Sequence, residues 1–308
     1  MRAFLSAVLG FNKVGKGNDL EGGILGVVKG YYGCVEAQGR GTLHCHLVVW
    51  LEGALNPQEI RDRVLVHHDN DFKDRLLAFI DDTIQTEIPP DPGDDVDTQA
   101  RRHHPCSVRG PSLDTEANEE RLKDIHLLAS RCQRHRHTST CYKYCSAKSV
   151  EKECRFNLDS SHYAPETTMD MSTGELHYKV IDGMVNNFCK TILEAVRCNM
   201  DIKFIGSGQS AKGILYYITD YISKAQLKSH VAYSVLAAAV KKMQLVDEND
   251  DSNTTKAKRM LVKCANALIA KQELSAPQVA SYLMSYEDHF TSHSFRPLYY
   301  TSFETHVE

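Results

Sequence analysis

Gly39-Arg40-Gly41 separates two apolar runs, Tyr31 to Gln38 and Leu43 to Leu51. Glycine supplies positive φ at little steric cost, so two glycines between strand-like runs read as a β-hairpin connection. The hairpin decides which side chains can meet. Side-chain direction alternates along a strand, so His44 and His46, on either side of Cys45, point to one side of the sheet. Glu36 and Gln38 return beside them on the facing strand. Two imidazoles with a carboxylate or amide oxygen suit Mg²⁺ or Mn²⁺, with coordination positions left open for a phosphate oxygen. Glu36 is the first choice for the third ligand and Gln38 the second. The bland alternative is a histidine pair on the exposed face of an amphipathic strand.

The 308 residues provide enough apolar content for one large domain or two ordinary ones, read as a soluble chain. No apolar run approaches a membrane span, and Met1 to Gly10 lacks the pattern of a cleaved leader; Phe4, Leu5, Val8 and Leu9 fit one helix face instead. The formal charge of −4 conceals a basic body. Asp81 to Asp97 holds seven acids and no base, Asp247 to Asp251 holds four more, and setting these eleven aside leaves +7. That balance permits nucleic-acid binding. Ten cysteines without a secretory leader point to reduced, buried or metal-bound thiols.

The expected order along the chain is an N-terminal helix, the hairpin, and helical segments from Asn56-Pro57 to about Ile84. Residues 86–114 read as an extended acidic loop, because Ile88 to Asp95 carries three prolines. A helix resumes near Glu116, and Ile214 to Leu227 is a strong helix candidate. Helical signals return at Lys256 to Ala270 and from Ser275, where Ser275-Ala276-Pro277-Gln278 has the form of a capping box. The expected domains are 1–85 with the hairpin, the loop 86–114, a Cys/His-rich segment 115–165, a tyrosine-helix part 166–246 and a helical segment 247–308. Gly206 to Gly213 imitates a phosphate loop, but Ala211 and Gly213 stand where that motif needs glycine and a hydroxyl.

On a helix, Tyr217, Tyr221 and Lys224 share one face at i, i+4 and i+7, while Ile214, Ile218 and Ile222 form an apolar stripe. A phenol with its usual pKa of about 10 is a weak nucleophile. It needs a metal-polarised phosphate to attack and a cation to settle the developing charge, a role open to Lys224. The alternative is a half-buried amphipathic helix with its hydroxyls outward.

Cys132, His135, His137, Cys141, Cys145 and Cys154 mix thiol and imidazole at short spacing, which suits tetrahedral Zn²⁺. The preferred structural zinc set is His135, His137, Cys141 and Cys154, with Cys132 or Cys145 as substitutes. Arg131, Arg134, Arg136, Lys143, Lys148, Lys152 and Arg155 alternate there with Tyr142, Tyr144 and Phe156, a combination suited to a phosphate backbone and unstacked bases.

Taken together, Glu36 to His46, Tyr217 to Lys224, His135-Arg136-His137 with Cys141 and Cys154-Arg155-Phe156, and Glu273 to Ala280 resemble the Rep/helicase-like N-terminal region of Helitron transposases. These belong to the His-hydrophobic-His (HUH) endonuclease superfamily. The resemblance implies an α+β fold with an antiparallel ferredoxin-like central sheet carrying the His-x-His strand, covered by helices, with a Cys/His zinc-like insertion and a helical C-terminal segment. It implies rolling-circle transposition: His44 and His46 hold a divalent cation, and Tyr217 and Tyr221 attack single-stranded DNA to leave a 5′-phosphotyrosine. It also implies transposon ends as partners, a helicase domain in the same polypeptide, no membrane and a nuclear location. Relatives resembling this chain carry a superfamily 1 helicase, so the expectation is a fragment or decayed copy, short at the amino end as well. The alternative is a catalytically inactive, zinc-stabilised remnant that only binds nucleic acid.

Overall fold

The computed structural model describes residues 1–11, 22–37, 42–91, 103–111, 118–145, 152–206, 208–223, 229–244, 253–271 and 275–296. The chain divides into two units, one built from Met1–Gly30 and Val49–Leu215, the other from Tyr31–Val48 and Tyr216–Glu308.

In the first unit, Asn56 starts α1 (Pro57–Leu65). Its side chain accepts from the amides of Gln58 and Glu59, while the Glu59 carboxylate accepts from the Asn56 amide. Proline fits the first helical position because an amide there has no partner within the helix. The chain turns at His68 (φ 53°), and Asp69 caps α2 (Asn70–Thr83). Ile60, Val64, Ile80 and Ile84 bury against Met169 and Leu176. Those two come from β3 (Thr168–Met169) and β4 (Leu176–His177), an antiparallel ribbon pairing Thr168 with His177.

A second cluster joins α3 (Asn118–Leu128) to α4 (Lys190–Val196) through Ile125, Leu128, Phe188 and Leu193. Arg197 ends α4 in the left-handed conformation (φ 52°). The segment read as an extended acidic loop begins tethered: Thr86 is buried, donating to the Lys179 carbonyl and accepting from the Ile181 amide.

The second unit takes in most of a three-stranded sheet of order β2-β1-β5, from β1 (Val28–Ala37), β2 (Leu43–Leu51) and β5 (His289–Thr291). The link from Ala37 to Leu43 is too short for a parallel crossover, so β1 and β2 run antiparallel. Within that link, the Gly39-Arg40-Gly41 turn lies outside the described residues. On the other edge Tyr32, Gly33 and Cys34 pair antiparallel with Thr291, Phe290 and His289. Gly33 permits close approach of β2: a Cβ there would stand 2.9 Å from Leu47 Cδ1 and 3.3 Å from the His46 carbonyl oxygen.

The helices are α5 (Gly208–Ser223), which enters this unit at Tyr216, then α6 (Ser229–Gln244), α7 (Asn253–Ile269) and α8 (Ala276–Leu283). α6 and α7 pack on each other. The Ser275 capping box forms as its sequence indicates, Ser275 accepting from the Gln278 amide and Gln278 accepting from the Ser275 amide. The architecture is mixed helix and strand with small antiparallel sheets, as expected at that level. Among the described residues no helix is long and apolar enough to cross a membrane.

Candidate functional site

β2 turns both histidines to one side, with ring centroids 4.7 Å apart and planes at 74°. His46 is buried, at 9% exposure, and its Nε2 lies 3.4 Å from the Glu36 Oε2 of β1. Cys45 points to the opposite face, and burial pushes its thiol up to about 11, so it stays protonated near neutrality. α5 brings Tyr217 into the same group: its ring lies 5.9 Å from that of His46, at 72°. The Tyr217 side chain is about half exposed, so its face remains open to a ligand from solvent. Tyr221 follows one turn later on α5, but its side chain lies outside the described residues, as do Gln38 and Lys224.

Two imidazoles and a carboxylate on adjacent strands are donor types that a divalent cation such as Mg²⁺ or Mn²⁺ takes. The partly buried Glu36 supplies negative charge, and His46 and Glu36 are already within ion-pairing distance. The donor types suit such an ion, but the ligand atoms of His44, His46 and Glu36 do not all come within 4.8 Å of one another, so the three are not drawn together as a closed set. The Tyr217 ring lies beside the His46 imidazole.

Residues 1–49 match the Helitron helicase-like domain at the N-terminus. The matched stretch takes in Glu36, Gln38, His44 and His46, and stops well before the Cys/His segment and Tyr217. No curated protein and no solved structure matches the chain. Over its first 49 residues the chain is thus similar to a Helitron-related transposase.

In the first unit the Cys/His segment folds back on itself. His135, His137, Cys141 and Cys154 bring one ligand atom each to within 4.8 Å of one another. His135 Nε2 lies 3.3 Å from Cys141 Sγ and 3.6 Å from Cys154 Sγ. The Thr138 amide donates to the Cys141 sulfur at 3.2 Å and, with help from His137, Thr138 and Cys154, lowers that thiol to about 7. Burial, then the neighbouring His137, holds His135 below its ordinary range, which favours the neutral ring a metal needs. Four N and S donors at this separation fit a closed tetrahedral zinc site.

Cys145 lies outside this group, its thiol donating to the Glu153 carbonyl, and Cys132 sits instead with His104 and Cys106. Beside the cluster, the Arg155 guanidinium stacks 4.5 Å over Phe156, and Lys143 stands 5.6 Å over the well-exposed Tyr144. Exposed rings flanked by cations are what single-stranded nucleic acid stacks on.

Gly183 holds this region together. The His135 amide donates to the Met184 carbonyl and the Asp159 amide to the Gly183 carbonyl, so the chain around 183 braces both ends of the segment. A Cβ at 183 would stand 1.9 Å from the Asp159 oxygen and 2.8 Å from that of His162, both fixed backbone. Gly183→Ala is therefore expected to cost about 3 kcal/mol or more. Thermal melting beside the unaltered chain checks this.

Proposed function

We propose that the chain is the metal-binding and tyrosine-bearing part of a Helitron-like transposase that cuts and rejoins single-stranded DNA. The observation that carries this reading is the Tyr217 ring beside His46, with Glu36 against the same imidazole. The match over residues 1–49 supports the Helitron part of it.

His44, His46 and Glu36 would hold a divalent cation, which when bound polarises the scissile phosphate and lowers the barrier to attack. The Tyr217 phenol oxygen then forms the new bond to phosphorus, and the bond from phosphorus to the 3′-oxygen breaks. The phenolic proton is lost as the oxygen attacks, and the departing 3′-oxygen takes up a proton. The product is a 5′-phosphotyrosine and a free 3′-hydroxyl. Reversal needs no external energy, because one phosphodiester has been exchanged for another.

Tyr221 would serve the second strand, and Lys224 would settle charge on the phenolate. Gln38 is the alternative third ligand. A ferredoxin-like sheet, a nuclear location, transposon ends as substrate and a helicase in the same polypeptide belong to this reading. The zinc-held segment with Tyr144, Arg155 and Phe156 would grip the strand.

The basic and aromatic face beside the Cys/His group favours a second reading, a nucleic-acid-binding protein without cleavage. One experiment separates the two. The chain is mixed with a pool of random single-stranded oligonucleotides and Mn²⁺, then denatured and resolved by size. The first reading expects a protein-DNA adduct that vanishes in Tyr217→Phe combined with Tyr221→Phe, while binding survives. Binding without an adduct in the unaltered chain would overturn it in favour of the second.

A further inference from the structure

We propose that His104, Cys106 and Cys132 form a second zinc site, independent of the His135 group, with one coordination position left for water. The ligand atoms of His104, Cys106 and Cys132 already lie within 4.8 Å of one another. The two sulfurs are 3.3 Å apart. That is far from a disulfide bond of about 2.05 Å. It is close to the roughly 3.7 Å that two thiolates span across a tetrahedral zinc with bonds of about 2.3 Å. Cys198, which follows Arg197, lies outside this group of three ligand atoms.

The segments that carry these ligands are held in register by one largely buried cation. Arg197, immediately before Cys198, makes a two-pronged pair with Asp124 of α3 at 2.6 and 2.7 Å. It also donates twice to the Pro105 carbonyl, at 2.9 and 3.1 Å. Its side chain is only 12% exposed. The Pro105 turn is closed in its own right by the Ser107 amide and hydroxyl, which both donate to the His104 carbonyl. The donors of the site are thus presented by two backbone segments that a fixed guanidinium already joins. Two thiolates and one imidazole would leave the zinc complex neutral. Arg197 is within electrostatic reach of Cys106 and Cys132, so it favours their thiolate forms.

The inference stands apart from the proposed nuclease chemistry, and so does its test. The full chain is produced under reducing conditions with zinc, and its metal content is measured by elemental analysis. Cys106→Ser and Cys132→Ser are each expected to lower the zinc content by one equivalent relative to the unaltered chain. Cys141→Ser is expected to remove a different equivalent, so that Cys106→Ser with Cys141→Ser loses two. Cys106 and His104 are exposed, so His104→Cys offers a variant with little effect on folding; it should retain zinc and add one thiolate to the cobalt-substituted absorption spectrum. Unchanged zinc in Cys106→Ser would overturn the proposal. So would a Cys106–Cys132 disulfide found by peptide mapping of the reduced preparation.

Discussion

Replacing His46 with alanine is expected to lower metal-dependent DNA cleavage by more than about 100-fold, beyond the loss that follows removal of a residue merely supporting a metal ligand. His46 is the buried member of the pair and faces both Glu36 and Tyr217. Its loss would remove one of the proposed ligands and take from the Glu36 carboxylate, about a quarter exposed, the imidazole 3.4 Å away. Glu36→Gln keeps the shape and removes the charge. It should weaken metal affinity by about 10- to 100-fold, so that raising Mn²⁺ restores the rate. A Mn²⁺ titration of cleavage separates the two variants: rescue is expected for Glu36→Gln and not for His46→Ala. Equal rates in His46→Ala and the unaltered chain would show that His46 holds no metal needed for cleavage.

The second large effect is expected on zinc removal or in Cys141→Ser. Cys141 is almost fully buried, and His135 and Cys154 both meet its sulfur. Loss of a structural metal belongs to the mutational effects that exceed about 4 kcal/mol. For a chain of this size that corresponds to a fall in melting temperature of roughly 10 °C. The apolar clusters around Ile60 and Ile125 do not include these ligands, so helical circular dichroism should fall only in part.

The pH dependence has a definite sign. The Cys141 thiol is depressed from its ordinary 9.0 to about 7 in the folded chain. Its contribution is therefore complete above about 9 and lost as pH falls through about 7. A bound zinc adds competition with protons in the same direction. Melting temperature measured with and without chelator across pH 5–9 checks both.

Local chemistry was readable in the chain, and long-range pairing was not. Asn56-Pro57 with Glu59, and Ser275 with Gln278, announce the starts of α1 and α8 because a cap needs only neighbours in sequence. His135, His137, Cys141 and Cys154 converge because short spacing lets one looped segment present them together. The His44/His46 alternation follows from strand geometry alone.

By contrast, β5 pairs with β1 from more than 250 residues away, and nothing in His289-Phe290-Thr291 specifies its partner. Cys132 read as a substitute for the nearby cluster because spacing ranks ligands by proximity in sequence. The Arg197 pair with Asp124 places it with His104 and Cys106 instead, a consequence of tertiary packing. α4 was equally hidden, since Val185 to Ile205 is apolar at mixed spacing and its helix is stopped by Arg197 in a left-handed conformation that non-glycine residues rarely adopt.

The most direct measurement is the identity of the residue that carries DNA after reaction. The chain is incubated with single-stranded DNA and Mn²⁺, digested with protease, and the peptides that retain nucleotide are sequenced by mass spectrometry. Nucleotide is expected on the peptide containing Tyr217 and Tyr221, attached through a phenolic oxygen. Cleaved DNA with no nucleotide on either tyrosine would contradict it.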